Sequence, residues 1–391
     1  MLQNVPRVTA VVLGGGRGER LMPLTRNRPK PNTPIEKRRL FDFLGSNCVN
    51  SPCVSDVHLL AQYYANKLIR HAQETYLGRG IRKPVWCQVA PMISGREFFA
   101  GTADAVRQSQ YLFDSPNQHM LVLSGDHLYT MDYGPLVSAH VEQDAAITVA
   151  VAKMPTKTAA NRFGVFRVNE SGLANGFEEK PENPIPIPGT EECFASLGIY
   201  VFNVAKLQEL LKSCPGMDFG QDIIPYALRH NGYPLALWEY NGYWRDIGTI
   251  RSLFEANMDL LGPTPPINLY NQNWPIYHRA LNLASPKFIN GCVIEDSIVS
   301  DGSIIAGEIR QAVISTRVRI GSNSHVHKAV IMDMTQIGED VSLTNVIVDK
   351  KCQIGNGVVL GQNPEEEIKR YSEIELVDGI IVVPRDTVLA A

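Results

Sequence analysis

Between residues 298 and 360, aliphatic side chains return at steps of five or six: Ile298, Ile304, Ile309, Ile314, Ile320, Val326, Ile331, Ile337, Leu343, Val348, Ile354 and Leu360. Three of them, Ile320, Ile337 and Ile354, are each followed by glycine and lie 17 residues apart. An α-helix repeats every 3.6 residues and cannot hold that register on one face. Three short strands per coil can, with one aliphatic residue per face pointing into a prism. Residues 282–391 are therefore predicted to form a left-handed parallel β-helix of hexapeptide type. Such a helix ends in exposed strand edges, so it is expected to pack on the rest of the chain or on another subunit.

Upstream the pattern changes. Residues 7–13 (RVTAVVL) are apolar and β-branched, which reads as a strand buried on both faces. Residues 14–18 (GGGRG) then let the chain turn sharply and expose N–H groups that a phosphate can approach without meeting a Cβ, with Arg17 and Arg20 beside them. The spacing fits neither a dinucleotide fingerprint, which needs glycine where Glu19 stands, nor a P-loop, which needs Gly-Lys-Ser/Thr. Residues 21–40 carry four prolines among many Arg and Lys residues, and an extended cationic segment is expected.

Further on, residues 55–62 read as a strand and 65–76 as a helix, and Thr102 is placed to cap another helix. Residues 120–123 form a short apolar run that ends in Ser124, Gly125, Asp126 and His127. An acid at the carboxyl end of a strand in an open α/β sheet sits where ligands bind, so Asp126 is a candidate metal ligand. Residues 145–152, 162–168 and 195–202 read as strands, and the proline-rich residues 177–188 as an exposed loop with Lys180 its one cation. Residues 218–229 lead into a helix, and Asp246 is expected in a turn before a helix ending near Leu261. This alternation predicts an α/β domain with a mostly parallel sheet. Residues 262–275, with four prolines, break it. The expected division is 1–261, a linker at 262–281, and 282–391.

With 391 residues, two domains are expected. Lys and Arg total 37 against 40 Asp and Glu, a net charge of -3 that offers no global attraction to nucleic acid or acidic membranes, so neither is expected as a partner. The seven cysteines are scattered and form no CxxC pair, which points to a reducing compartment, to buried apolar roles and away from structural zinc. No apolar run spans a membrane and no signal-peptide core is present; a soluble, cytoplasmic protein is expected.

The ordered motifs GGGRGERLMPLT, Lys30-Pro31, SNCVNS, GTADAV, SGDHLY, FEEKP, ASLGIYVF, DFGQDIIP, YWRDIGT, FEANMDL and WPIYHR, followed by the hexapeptide tail, resemble the ADP-glucose pyrophosphorylase (glucose-1-phosphate adenylyltransferase) family. The resemblance implies a Rossmann-like nucleotidyltransferase domain followed by a left-handed β-helix for regulation and oligomerisation. It implies adenylyl transfer from ATP to α-D-glucose 1-phosphate, giving ADP-glucose and pyrophosphate, the donor step of glycogen or starch synthesis. By residue, it implies Arg20, Lys30, Asp126 and Asp246 as catalytic, with Asp126 and Asp246 holding Mg²⁺. Leu13, Gly14, Gly15, Gly16, Gly18, Gln88, Gly101 and Thr102 fall to the nucleotide, and Gly164, Glu179, Lys180 and Ser196 to glucose 1-phosphate. Lys37, Arg38, Lys350 and Arg385 fall to phosphorylated metabolite effectors such as 3-phosphoglycerate. A homotetramer or heterotetramer is implied, in the cytoplasm or, if a transit peptide has been removed, in the plastid stroma. The chain departs from the usual pattern at Glu19, where threonine is usual, at residues 34–39, which are shorter and lack glycines, and at Phe98, Phe99 and Ala100. Two other readings share these motifs: a non-catalytic regulatory subunit of a heterotetramer, and a transferase for another nucleotide or sugar 1-phosphate.

Overall fold

The computed structural model describes residues 5–77, 80–90, 98–114, 117–169 and 174–390. They form two compact units that interleave along the chain: 1–16, 45–125 and 131–242 in the first, 17–44, 126–130 and 243–391 in the second. The proline-rich stretch at 262–281 marks the change in periodicity, but compactness does not change hands there. Spatial contacts define the units, and residues 17–44, 126–130 and 243–261 make theirs with the repeats.

Among the described residues, eleven strands precede the repeats, apart from the hairpin of two-residue strands at 34–39. In chain order they are β1 (Val8–Gly14), β2 (Val54–Ala61), β3 (Val85–Val89), β4 (His119–Ser124), β5 (His127–Tyr129), β6 (Ile147–Pro155), β7 (Val165–Val168), β8 (Ala174–Glu178), β9 (Glu192–Asn203), β10 (Leu235–Glu239) and β11 (Trp244–Asp246). Nine of them build the sheet of the first unit, in the order β8-β7-β9-β4-β1-β2-β3, with β6 joining β9 to β10. β1 pairs in parallel with both β2 and β4, and β2 with β3. The long β9 runs antiparallel to β4, β6 and β7. The sheet is thus parallel on the β1 side and mixed beyond β4, less uniformly parallel than the alternation of elements predicts. Its core joins Val11, Met120, Val122, Val149, Phe166 and Phe202 to the helix residues Leu207 and Leu210.

In the second unit, Glu308–Ile314, His325–Ile331 and Ser342–Val348 stack in parallel with a strict 17-residue register, Ile309 on Val326 on Leu343 and Ile314 on Ile331 on Val348. Ile320, Ile337 and Ile354 stack likewise on a second face. These side chains are buried and form the interior of a left-handed hexapeptide β-helix. Ile298 and Ile304, expected inside, are only half-buried because they lie one step off register: Val299 and Ile305 take the interior columns, against Ile314 and Ile320, while Ile304 stands in register with Lys287 and Arg319.

Residues 21–40 are not an extended solvated segment. They fold as short turns, Glu19–Leu21 and Lys30–Asn32, and the hairpin Pro34–Ile35 with Arg38–Arg39. Leu21, Leu24, Ile35 and Leu40 are buried against the helix Ile250–Met258 and against Val330, Ile347 and Val382 of the β-helix. Arg28 donates two bonds to Asp349, at 2.6 and 2.5 Å, with both groups buried. Arg26, Lys37 and Arg39 likewise meet carboxylates in the repeats, Glu375, Asp301 and Asp333.

The cysteines are free thiols. Five are buried, whereas Cys87 and Cys292 are only half-buried, since β3 lies at a sheet edge and Cys292 on the first coil. Among the described residues, no helix is long and apolar enough to cross a membrane.

Candidate active site

Asp126 follows the end of β4 by two residues. It is carried into the second unit, where β5 and β11 pair antiparallel and set Asp246 opposite His127. Asp246 is therefore a strand residue, not a turn residue; the pairing with β5, invisible in local sequence, extends the backbone there. Lys30, itself buried, places its Nζ 2.7 Å from Asp126 Oδ2 and 3.6 Å from Asp246 Oδ1. A Cβ on Gly248 would lie 2.7 Å from Asp246 Oδ2 and 3.2 Å from Arg20 Nη2, so the bare glycine lets both groups close in. Gly18, at φ 70°, turns the chain in the left-handed region that glycine tolerates. Its carbonyl accepts from Thr25 Oγ1 at 2.7 Å. All four residues expected to be catalytic thus gather in one unit.

Asp126, His127 and Asp246 can each offer a ligand atom within 4.8 Å of the others, a group capable of holding a metal ion among the described residues. Two carboxylates supply the hard oxygen ligands that suit a divalent cation. The ammonium of Lys30 already lies against them, so positive charge is accommodated at this spot.

Apart from Gly18, the residues expected to meet the nucleotide lie in the first unit. Leu13 pairs with Leu60, and Leu60 with Gln88, placing Leu13 and Gln88 on one row across the sheet. Gln88 Oε1 is buried and has no partner among the described residues. A Cβ on Gly15 would lie 3.5 Å from Gln62 Cβ, and Gln62 exchanges hydrogen bonds with the backbone of Phe99, at 2.7 and 3.3 Å. Gly14 packs closely on Leu59 and Leu68, while Gly16 has open space around it. Thr102 does not cap its helix, which starts at Thr102 itself with Gly101 before it. Instead its hydroxyl donates to Asp218 Oδ2 at 2.8 Å and accepts from the Phe219 N–H at 2.9 Å. A long-range partner has taken the hydroxyl that local sequence assigns to the helix end.

A third group, also in the first unit, centres on Glu179. Its carboxylate lies 2.8 Å from where a Cβ would stand on Gly164 and, equally, on Gly220, so both glycines are needed for its approach. Burial pushes the Glu179 carboxyl upward in pKa, opposed by the Lys180 ammonium, which pairs with it at 3.4 Å. Lys180 itself is half exposed. The Ser196 N–H donates to the Gly164 carbonyl at 2.8 Å. Ser196 also hydrogen-bonds Tyr200, whose phenol is driven well above its ordinary pKa by burial, with Glu179 and Asp218 adding to the effect. Tyr200, Asp218 and His127 were not legible as site residues from local pattern; their signal is position within ASLGIYVF, DFGQDIIP and SGDHLY.

The four cations expected to meet effectors are each already paired in the second unit: Lys37 with Asp301 at 3.3 Å, Arg38 with Glu36, Lys350 with Asp333 at 2.7 Å, and Arg385 with Asp386 at 3.1 Å. Asp333 also takes Arg39 at 3.0 Å. Burial raises the Asp333 carboxyl, but the charges of Arg39 and Lys350 outweigh it and hold the group below its usual range. Burial, joined by Arg39, lowers Lys350 to about 7. Two cations share one carboxylate here, leaving a surplus of positive charge.

An α/β sheet, a pair of carboxylates and hexapeptide repeats define the class: residues 9–262 match the model of the nucleotidyl transferase family and residues 285–383 that of the GlmU-like C-terminal hexapeptide. Curated relatives span the whole. A glucose-1-phosphate adenylyltransferase of Nitrosococcus oceani is 39% identical over 96% of this chain and 93% of its own length. Those of Shewanella putrefaciens (38%, over 98% and 96%) and Nitrosomonas europaea (37%, over 96% and 92%) carry the same name. The chain belongs to the glucose-1-phosphate adenylyltransferase family.

Proposed function

We propose that this chain transfers the adenylyl group of ATP to α-D-glucose 1-phosphate, releasing pyrophosphate and ADP-glucose, the glucosyl donor for glycogen or starch. The observation that carries the reading is the convergence of Lys30, Asp126 and Asp246 within one unit, in a chain of this family. A phosphate oxygen of the sugar attacks the α-phosphorus in line, and no side chain need act as nucleophile. The barrier comes from crowding negative charge, so the protein's task is to orient two anions and neutralise them.

Asp126 and Asp246 would hold Mg²⁺, which when bound neutralises the reacting phosphates. Lys30 and Arg20 supply fixed positive charge to the triphosphate. Gly15, Gly16 and Gly18 leave backbone N–H groups accessible to phosphate oxygens, Leu13 and Gly14 border the nucleotide at the end of β1, and Gln88, with its buried Oε1, reads the base; Gly101 and Thr102 anchor the neighbouring segment. Glu179 and Ser196 accept and donate bonds to sugar hydroxyls, Gly164 leaves room for them, and Lys180 takes the sugar phosphate.

Residues 1–261 are the catalytic domain in this reading, 262–281 the linker, and 282–391 the regulatory and oligomerisation domain. The surplus positive charge at Arg39, Lys350 and Asp333 supports a phosphorylated effector there. Lys37, Arg38 and Arg385 would join only by exchanging their present carboxylates for the ligand. Exposed Phe288, Val293 and Ile294 on the first β-helix coil support assembly to a tetramer, and a solution mass of four times 43.3 kDa by light scattering checks it. The setting in this reading is the cytoplasm, or the plastid stroma if a transit peptide has been removed.

The purified chain is to be assayed with ATP, UTP, GTP and dTTP against glucose 1-phosphate and its amino and mannose analogues. The expected result is a preference for ATP with glucose 1-phosphate. Formation of no ADP-glucose with Mg²⁺ present would favour the regulatory-subunit reading, and a preference for another pair would reassign the substrate. Asp126→Asn should lower turnover by roughly 100-fold or more with little change in melting temperature, because it removes a ligand and no packing.

A further inference from the structure

His127 stands beside the carboxylates without a role in the reaction as derived above. Its Nε2 lies 3.2 Å from Asp126 Oδ1 and 4.0 Å from Asp246 Oδ1, and its ring rests on Trp244 with centroids 4.8 Å apart. The imidazole is 11% exposed, and its Nδ1 is buried with no partner among the described residues.

The orphaned Nδ1 decides between two uses of the ring. A histidine that binds a metal through Nε2 carries its proton on Nδ1 and normally donates it to a carboxylate, a carbonyl or water. Here that proton would be buried with nothing to accept it. In the other tautomer the proton is on Nε2, 3.2 Å from Asp126 Oδ1, and Nδ1 keeps only a lone pair; an unpaired acceptor is tolerated better than an orphaned N–H. Lys30 holds the other oxygen of the same carboxylate at 2.7 Å. The two donors together hold both oxygens of Asp126, and the antiparallel pairing of β5 with β11 keeps His127 in register with Asp246.

We propose that His127 is a positioning residue: as an Nε2–H donor it orients the Asp126 carboxylate for the divalent cation and does not itself bind the metal. This rests on the reading of Asp126 and Asp246 as metal ligands.

The test is Mn²⁺ binding to the full chain, followed by electron paramagnetic resonance, with pulsed spectra to detect bound nitrogen. Two substitutions separate the donor from the ring: His127→Gln keeps an N–H within reach of Asp126, and His127→Phe keeps the ring on Trp244 without the donor. The wild type is expected to bind Mn²⁺ without a directly coordinated nitrogen. His127→Phe should weaken binding about 10- to 100-fold, whereas His127→Gln should stay within about threefold of wild type. A directly bound nitrogen lost in His127→Phe would make His127 a ligand and overturn the proposal. Wild-type affinity in His127→Phe, or equal losses in both variants, would overturn it too, while leaving Asp126 a ligand provided Asp126→Asn loses binding. Absence of Mn²⁺ binding in the wild type, matched by Asp126→Asn, would overturn the metal-ligand reading and this proposal with it.

Discussion

Glu19 replaces a threonine that is usual beside the glycine turn, and its acidity next to a triphosphate raises the question of where the charge goes. In the folded chain it pairs with Arg17 at 3.1 Å, with both side chains well exposed, 67% and 71%. An exposed pair of this kind is worth little, so Glu19→Thr should change the KM for ATP by no more than about twofold; a fall of tenfold would place the carboxylate against the phosphates. His140 makes a different kind of prediction. Its Nδ1 hydrogen-bonds Thr148 Oγ1 at 2.8 Å, and burial, with His119 nearby, lowers its pKa to about 4. The unfolded chain takes up this proton near pH 6.5 and the folded chain does not until about 4, so the stabilisation is present at neutral pH and lost as pH falls through that window. Urea midpoints measured from pH 7 to 4.5 should decline by the equivalent of up to about 3 kcal/mol, and His140→Gln should flatten the decline. Neither residue's behaviour can be read from its neighbours in the chain: Glu19 needs the direction of its side chain, and His140 needs the strand that buries it.

At the scale of elements, the basic stretch after the glycine turn shows why composition misleads. Its prolines and cations read as an extended cationic segment, yet Arg28, Lys30 and Arg38 are buried, each opposite a carboxylate distant in sequence or, for Arg38, at Glu36. Such pairs cannot be seen without the fold, because Asp349 lies 321 residues beyond Arg28. Arg28→Ala should destabilise the protein by about 3–5 kcal/mol, since it leaves Asp349 charged and buried. Adding Asp349→Asn should recover part of that loss, which chemical denaturation of the single and double variants will measure. The hexapeptide repeats behave oppositely. Their register follows from spacing alone, because each coil repeats the same contacts with its neighbours.

For the whole molecule, the net charge of -3 leaves anion binding to local clusters, and Arg39 and Lys350 around Asp333 are the cluster proposed for the effector. 3-Phosphoglycerate should activate the wild type and fail to activate Lys350→Ala; indifference of both would remove the effector proposal. Lys350 is protonated in the anion-free chain only below about pH 7, and a bound anion favours the protonated form. Apparent effector affinity should therefore fall above pH 7, by up to about tenfold per pH unit, in activation titrations.

The sequence by itself determined the strand and glycine turn at the start, the α/β alternation, the 17-residue β-helix and the order of motifs that marks the family, because each is a local or periodic pattern of side-chain shape and polarity. Tertiary structure alone decided what those patterns serve. It put Thr102 on Asp218 rather than on its helix, made Asp246 a strand residue opposite His127, and brought the cations of residues 21–40 to carboxylates of the repeats and of β4's end. Hydrogen bonds and ion pairs are settled by proximity in space, and a burial that leaves a charge unpaired is too costly to persist. The chain therefore carries the inventory of its site in one dimension and the pairing of that inventory only in three.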